Sequence, residues 1–152
     1  MRKLSKKNII PDTSSFDGGW TPLMRAVFLI DDGNLEVVKY LIDNGVDLEA
    51  CDIDFGHTAL ASAADAGNQF AIDLLVRAGC NINHQDFDGQ TALMTAVIED
   101  RLKSVKTLVS HGACLKIKDN HGDTVIELAK LMERHSILDY FTNECIQSSR
   151  SI

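Results

Sequence analysis

Gly89-Gln90-Thr91-Ala92-Leu93-Met94-Thr95-Ala96 is one of four related stretches in a chain of 152 residues. The others are Gly19-Trp20-Thr21-Pro22-Leu23-Met24-Arg25-Ala26, Gly56-His57-Thr58-Ala59-Leu60 and Gly122-Asp123-Thr124-Val125-Ile126. Their threonines lie 37, 33 and 33 positions apart. A period of this length indicates a solenoid, because a unit of that size cannot bury its own apolar face and must stack on its neighbours.

Each unit has the pattern of two helices. A threonine before an apolar run is a typical N-cap, so the first helices are predicted to begin at Pro22, Ala59, Ala92 and Val125. Apolar residues then recur at helical spacing, as in Leu35, Val38, Leu41 and Ile42, which predicts a second helix. Gly45, Gly79 and Gly112 fit the left-handed residue that ends it. Asp/Gly-rich turns such as residues 86–89 are predicted to be hairpin tips.

These motifs resemble those of the ankyrin-repeat family. Thr21-Pro22-Leu23-x-x-Ala26 is close to that family's T-P-L-H-x-A signature, and residues 34–47 resemble its second helix and exit loop. The resemblance implies an all-α repeat solenoid of helix-turn-helix pairs joined by β-hairpin-like loops. We expect four repeats at about 17–52, 53–85, 86–118 and 119–142, the last a capping repeat. Residues 1–16 are interpreted as an N-terminal extension or partial cap, and residues 143–152 as a flexible tail.

The chain departs from the family pattern at several positions. The histidine of the signature is replaced by Met24, Ala61, Met94 and Glu127, so the hydrogen bonds of that histidine are expected to be absent and the repeats locally less rigid. Repeat one carries three extra residues between its helices. Ser104 stands where repeat one has Val37, which is expected to weaken the stacking of repeat three.

Composition and charge narrow the class of partner. The net charge is −7, and residues 17–85 contain eleven acidic residues against Arg25, Lys39 and Arg77. This balance disfavours nucleic acid, which needs clustered basic residues, and favours a protein partner with a basic patch. The alternative is that aspartate serves the turns and acidity serves solubility alone. No apolar stretch is long enough to span a membrane or to form the core of a signal peptide.

The cysteines and the remaining motifs indicate neither a redox site nor catalysis. Cys80 and Cys114 occupy equivalent places in neighbouring repeats and are interpreted as free thiols, and no metal-ligand spacing surrounds them or Cys51. We therefore expect a cytoplasmic protein. The sequence contains no recognisable catalytic triad, phosphate-binding loop or zinc-protease motif, and the histidines are scattered. We predict a non-enzyme without a cofactor or a metal ion.

Members of the ankyrin family bind proteins through their hairpin tips and the exposed face of their first helices. The positions that match this surface are Trp20 in repeat one, Asp54, Phe55, His57 and Asp65 in repeat two, Phe87, Asp88, Gln90, Ile98 and Glu99 in repeat three, and His121 in the last repeat. Large aromatic residues are frequent interface anchors, which draws attention to Trp20, Phe55 and Phe87. Alternatively, the two phenylalanines brace their own hairpins and Trp20 seals repeat one.

Two functional classes follow from this interpretation. One is an adaptor or scaffold, and the other is a stoichiometric inhibitor or immunity-type protein that blocks one enzyme or toxin. Residues 1–16 are too few to form another repeat, so Leu4, Ile9 and Ile10 either fold over the edge of repeat one or leave it open. An open edge would be a partner site or would support a weak dimer, so both a monomer and a weak dimer are compatible with the sequence.

Overall fold

The computed structural model describes residues 19–29 and 32–150. These residues form eight helices and no strand, which confirms the predicted all-α solenoid. The first helices of the repeats are α1 (Pro22–Phe28), α3 (Ala59–Ala66), α5 (Ala92–Ile98) and α7 (Val125–Leu131). The second helices are α2 (Asp32–Asp43), α4 (Gln69–Arg77), α6 (Leu102–Ser110) and α8 (His135–Arg150). None of these helices is long and apolar enough to cross a lipid bilayer.

Each first helix begins at the residue that the sequence predicted. In all four, the hydroxyl oxygen of the N-cap threonine accepts a hydrogen bond from the backbone N–H three residues later, at 3.2 to 3.5 Å. At α1 and α7 the return bond is also present, since Met24 Sδ and Glu127 Oε2 accept from the N–H groups of Thr21 and Thr124. Two of the four substitutions of the family histidine therefore still supply a capping acceptor.

The first helices pack side by side in one layer and the second helices in another, with the core between them. One position makes the close approach of the first helices possible, because it holds an alanine in every repeat. These alanines are at most 5% exposed and are Ala26, Ala63, Ala96 and Ala129. A methyl side chain loses no conformational entropy on burial and keeps neighbouring backbones close.

Side chains at the start of the second helices bind the repeats together. Asn68 Nδ2 donates to the carbonyl of Val27 at 2.9 Å, and Arg101 Nε donates to the carbonyl of Asp65 at 2.9 Å. Arg134 occupies the equivalent position in the last repeat and donates to the end of α5. The last carbonyls of a helix have no partner within it, so these bonds satisfy them across the repeat boundary.

Both ends of the chain differ from the simple four-repeat pattern. The three extra residues of repeat one lengthen its second helix, because α2 has 12 residues and α4 has nine. Residues 143–150, which belong to the segment predicted to be a flexible tail, are helical, since α8 continues to Arg150. The reason is that residues 135–150 contain neither glycine nor proline to end the helix. The predicted N-terminal extension, residues 1–16, lies outside the described residues.

Ser104 is a polar residue in the hydrophobic core. Its side chain is completely buried in α6, and among the described residues its hydroxyl is the one buried side-chain polar atom without a hydrogen-bond partner. The equivalent residue of α4 is Ala71, which is also completely buried. A buried hydroxyl that has lost its water and gained no partner opposes folding.

We expect Ser104→Ala to raise the free energy of unfolding by about 1 kcal/mol, because it removes an unpaired hydroxyl and improves helix propensity. Ser62→Ala is the matched control. Ser62 is also buried in a helix, but its hydroxyl donates to the carbonyl of Thr58 at 3.3 Å. Urea unfolding of both variants measures the difference. Equal stabilisation by the two substitutions would contradict this account of Ser104.

Candidate functional site

Three successive hairpin tips are each built around an aspartate with a buried carboxylate. Asp52, Asp86 and Asp119 are equivalent in the repeat register, and their carboxylates accept hydrogen bonds from the backbone N–H groups of their own turns. The donors are Asp54, Phe55 and His57 for the first carboxylate, Asp88 and Gln90 for the second, and His121 and Asp123 for the third. One side chain satisfies each turn, and the side chains of Asp54, Phe55, Asp88 and His121 on these turns are exposed.

Neighbouring tips are hydrogen-bonded to one another. The N–H of Phe87 donates to the carbonyl of Phe55 at 2.9 Å, and the N–H of Asn120 donates to the carbonyl of Asp88 at 2.9 Å. The ring of Phe87 lies against Gly56, where a Cβ atom would come within 2.6 Å of the ring. Gly56 has a φ of +75°, so both the backbone conformation and the ring contact require glycine there. The tips therefore form one continuous row.

His57 contacts side chains of two neighbouring tips. Its ring stacks on the ring of Phe55, with centroids 5.5 Å apart, and its Nε2 lies 3.1 Å from Oδ2 of Asp86 in the next tip. Phe55 is 57% exposed and Phe87 is 61% exposed. We call Phe55, His57 and Phe87 the tip cluster. The exposed carboxylates of Asp54 and Asp88 lie on the same two tips.

Trp20 does not share the environment of the tip cluster. It is half-buried, packs against the hydrophobic core and meets the ring of Phe28 edge to face, with centroids 5.3 Å apart. The turn that precedes α1 contacts the Asp52 tip through Gly19, which lies beside Ile53. Of the two phenylalanines, Phe87 packs on the preceding tip, whereas Phe55 stacks on His57 of its own tip, and both rings are mostly exposed.

The remaining predicted residues lie along the first helices and the last tip. Asp65 and Ile98 are half-buried, and each stands seven residues after the capping threonine of its repeat. Their carbonyls accept the hydrogen bonds from Arg101 and Arg134 described above, which fix the ends of α3 and α5. Gln90 is half-buried, whereas Glu99 and His121 are exposed.

Three exposed apolar residues at tip and first-helix positions were not predicted from the sequence. Leu131 is 68% exposed and Met132 is 41% exposed, at the same register positions as Ile98 and Glu99 of the preceding repeat. Ile53 is 69% exposed and occupies the tip position equivalent to Phe87. All three could have been predicted by extending the repeat register to the capping repeat and to the Asp52 tip.

Shifted titratable groups lie outside the tip cluster. Burial, and then the nearby Glu49 carboxylate, raise the pKa of the Cys80 thiol to about 11, so the thiol is protonated at neutral pH. Cys51, Cys80 and Cys114 are free, and Cys80 and Cys114 are half-buried. Burial raises the pKa of Asp73, but hydrogen bonds from His111 and Arg77 outweigh it and hold the pKa below its usual value. The Asp73–His111 contact, at 2.8 Å, joins the second-helix side of repeats two and three.

Comparison with known proteins identifies the class. The family model described as ankyrin repeats, in three copies, matches residues 31–119 and 70–147. These matches span well over half of the chain, so the protein belongs to the ankyrin-repeat family. Ankyrin repeats are generally protein–protein interaction modules and are typically non-catalytic.

Several curated proteins are similar to this chain. It is 30% identical over 136 residues to serine/threonine-protein kinase 12 of Arabidopsis thaliana, covering 90% of this chain and 28% of that protein. It is 34% identical over 101 residues to the B-cell lymphoma 3 protein homolog of Mus musculus, covering 66% and 22%. It is 31% identical over 115 residues to a putative ankyrin repeat-containing protein of Treponema pallidum, covering 76% and 38%. The chain thus spans less than two fifths of the length of each of these relatives.

Gly56 and Gly45 provide a test of the contact between tips, because both have a φ of +75° and only Gly56 has a neighbour where a Cβ atom would stand. Gly45→Ala should lower the free energy of unfolding by about 1 kcal/mol through backbone strain. Gly56→Ala should lower it by about 1 kcal/mol more, because the ring of Phe87 must move.

Urea unfolding measures the two values, and the double variant Gly56→Ala/Phe87→Ala should lose no more than Phe87→Ala and the backbone strain together. Equal losses for Gly45→Ala and Gly56→Ala would show that Phe87 does not pack on the preceding tip in solution.

Proposed function

We propose that this protein binds a protein partner through a surface made of the tip cluster and the exposed residues of the first helices. The observation that carries the proposal is the exposure of two large aromatic rings on adjacent tips whose backbones are fixed by hydrogen bonds. Such rings contribute large contact areas, and little conformational entropy is lost when a partner covers them. The footprint extends along Asp65, Ile98 and Glu99 to Leu131 and Met132.

The charges beside the rings favour a partner with basic residues. Asp54 and Asp88 are exposed on the two tips that carry Phe55 and Phe87, and Glu99 is exposed near the end of α5. A lysine or arginine of the partner could approach these carboxylates while its neighbours cover the rings. Binding should therefore weaken as salt concentration rises, since exposed charges are screened. Trp20, Gln90 and His121 form the edges of the proposed footprint.

We propose a non-catalytic role for a cytoplasmic protein that is a monomer or a weak dimer. The free thiols of Cys51, Cys80 and Cys114 support a reducing compartment. An adaptor that brings proteins together is the first possibility, and a stoichiometric inhibitor that covers the working surface of one enzyme or toxin is the second. The two differ in what happens to the captured partner, because only the inhibitor abolishes an enzymatic activity at a one-to-one ratio.

Capture of partners from the native cell tests the surface. The variant is Phe55→Ala/Phe87→Ala, and the matched control is Phe70→Ala, because Phe70 is 59% exposed but lies on the second helix α4. We expect the tip variant to reduce capture by about tenfold or more, on the scale of an interface anchor. The control should capture as the wild type does.

Circular dichroism establishes that each variant is folded, and the captured partner is then assayed alone and at a one-to-one ratio with the protein. Loss of activity identifies an inhibitor, and unchanged activity identifies an adaptor. Loss of capture in Phe70→Ala, with normal capture in the tip variant, would refute the proposed surface and move it to the second helices.

A further inference from the structure

The ends of the four first helices carry a row of equivalent residues, each seven positions after the capping threonine of its repeat. We call these residues the palm row; they are Phe28, Asp65, Ile98 and Leu131. They are neighbours along the stack, because α1 packs beside α3, α3 beside α5 and α5 beside α7. Phe28 is 38% exposed, Leu131 is largely exposed, and the other two are half-buried. The row therefore places one carboxylate between large apolar side chains.

Contacts beneath the palm row hold its members in place. The ring of Phe28 meets the ring of Trp20 edge to face. The carbonyls of Val27, Asp65 and Ile98 accept the hydrogen bonds from the following repeat that were described above. The ends of α1, α3 and α5 are thus each tied to the next repeat. A surface fixed in this way loses little conformational freedom when a partner covers it.

The carboxylate of Asp65 is without a partner in the described part of the structure. Among the groups that the structure describes, no hydrogen-bond donor or basic side chain contacts its oxygens, and the nearby Arg101 donates to the backbone carbonyl of Asp65 instead. A half-buried carboxylate has given up part of its hydration, so a cation that pairs with it restores the interaction that it has lost.

The charges around the palm row also favour a cation. From the row to the start of the next helix, repeats two to four contain four acidic residues and two basic ones. The acidic residues are Asp65, Glu99, Asp100 and Glu133, and the basic ones are Arg101 and Arg134. Both arginines donate hydrogen bonds to carbonyls at the ends of the first helices. The balance attracts a basic group and repels an acidic one.

We propose that the palm row selects a linear segment of the partner in which a lysine or arginine lies between apolar residues. The basic group pairs with Asp65, and the apolar residues cover Phe28 on one side and Ile98 and Leu131 on the other. The aliphatic stem of a lysine or arginine can lie on apolar surface while its charged end reaches a carboxylate. A uniformly apolar segment would bury that carboxylate unpaired. This role of the palm row rests on the proposed function and specifies the chemistry of the partner.

Selection from a library of random peptides displayed on phage tests the proposal with the full-length chain. Peptides of about 20 residues are long enough, because four helices packed roughly 8 to 10 Å apart span roughly 24 to 30 Å. Peptides selected on the wild type should carry a lysine or arginine flanked by apolar residues. Selection on Asp65→Lys should replace the basic residue by an acidic one.

Asp43→Lys is the matched control, because it makes the same change of charge at an exposed residue at the end of the second helix α2. It should select the same pattern as the wild type. Circular dichroism establishes that each variant is folded. Selection of the same basic residue on Asp65→Lys would overturn the proposal, and so would a library that yields no peptide, since the palm row is proposed to bind a linear segment.

The dissociation constant of one selected peptide, made synthetically, gives a second measurement. Asp65→Asn should weaken binding about tenfold or more, because the charge-assisted pair is lost while the shape of the side chain is kept. Asp43→Asn should leave the affinity unchanged. Equal affinity for the wild type and Asp65→Asn would contradict the proposed role of Asp65, and this comparison decides the matter if Asp65→Lys does not fold.

The tip variant Phe55→Ala/Phe87→Ala separates the palm row from the proposed function as a whole. A peptide that binds the tip variant weakly but Asp65→Asn normally would overturn the role of the palm row and leave the binding surface at the tips. The opposite result would support the palm row and remove the tip cluster from the surface. A peptide that both variants bind normally would overturn both proposals.

Discussion

The close packing of the four first helices is the contact on which the rest of the structure depends. A single repeat of about 33 residues cannot bury both faces of its helices, so each must stack on the next. Ala26, Ala63, Ala96 and Ala129 stand at this contact in the four repeats and are almost completely buried. Because a methyl group fixes a short and uniform spacing between first helices, it also fixes the spacing between the tips that precede them.

The spacing of the tips explains how the proposed surface is held. Phe87 reaches the backbone of the preceding tip because the two repeats are close, and Gly56 leaves room for its ring. The buried carboxylates of Asp52 and Asp86 satisfy the turns from within. The rings of Phe55 and Phe87 can thus remain exposed without leaving the backbone polar groups beneath them unpaired. A surface of this kind needs little reorganisation when a partner binds.

Local rules made much of the fold predictable from sequence. The capping threonines, the helix starts and the glycines after the second helices depend on a few neighbouring residues, and all agree with the structure. The bonds from Asn68, Arg101 and Arg134 were not predicted, because their acceptors lie 36 to 41 positions away. The half-buried position of Trp20 depends on Phe28 and the core, which the residues next to Trp20 do not reveal.

The proposed surface is tested most directly by hydrogen exchange of this protein with and without a captured partner. Binding through the tips and first helices predicts slower exchange in residues 52–57 and 86–90 and at the ends of α3 and α5, with little change in α4 and α6. Slower exchange confined to the second helices would contradict the account, because the aromatic tips would then play no part in recognition.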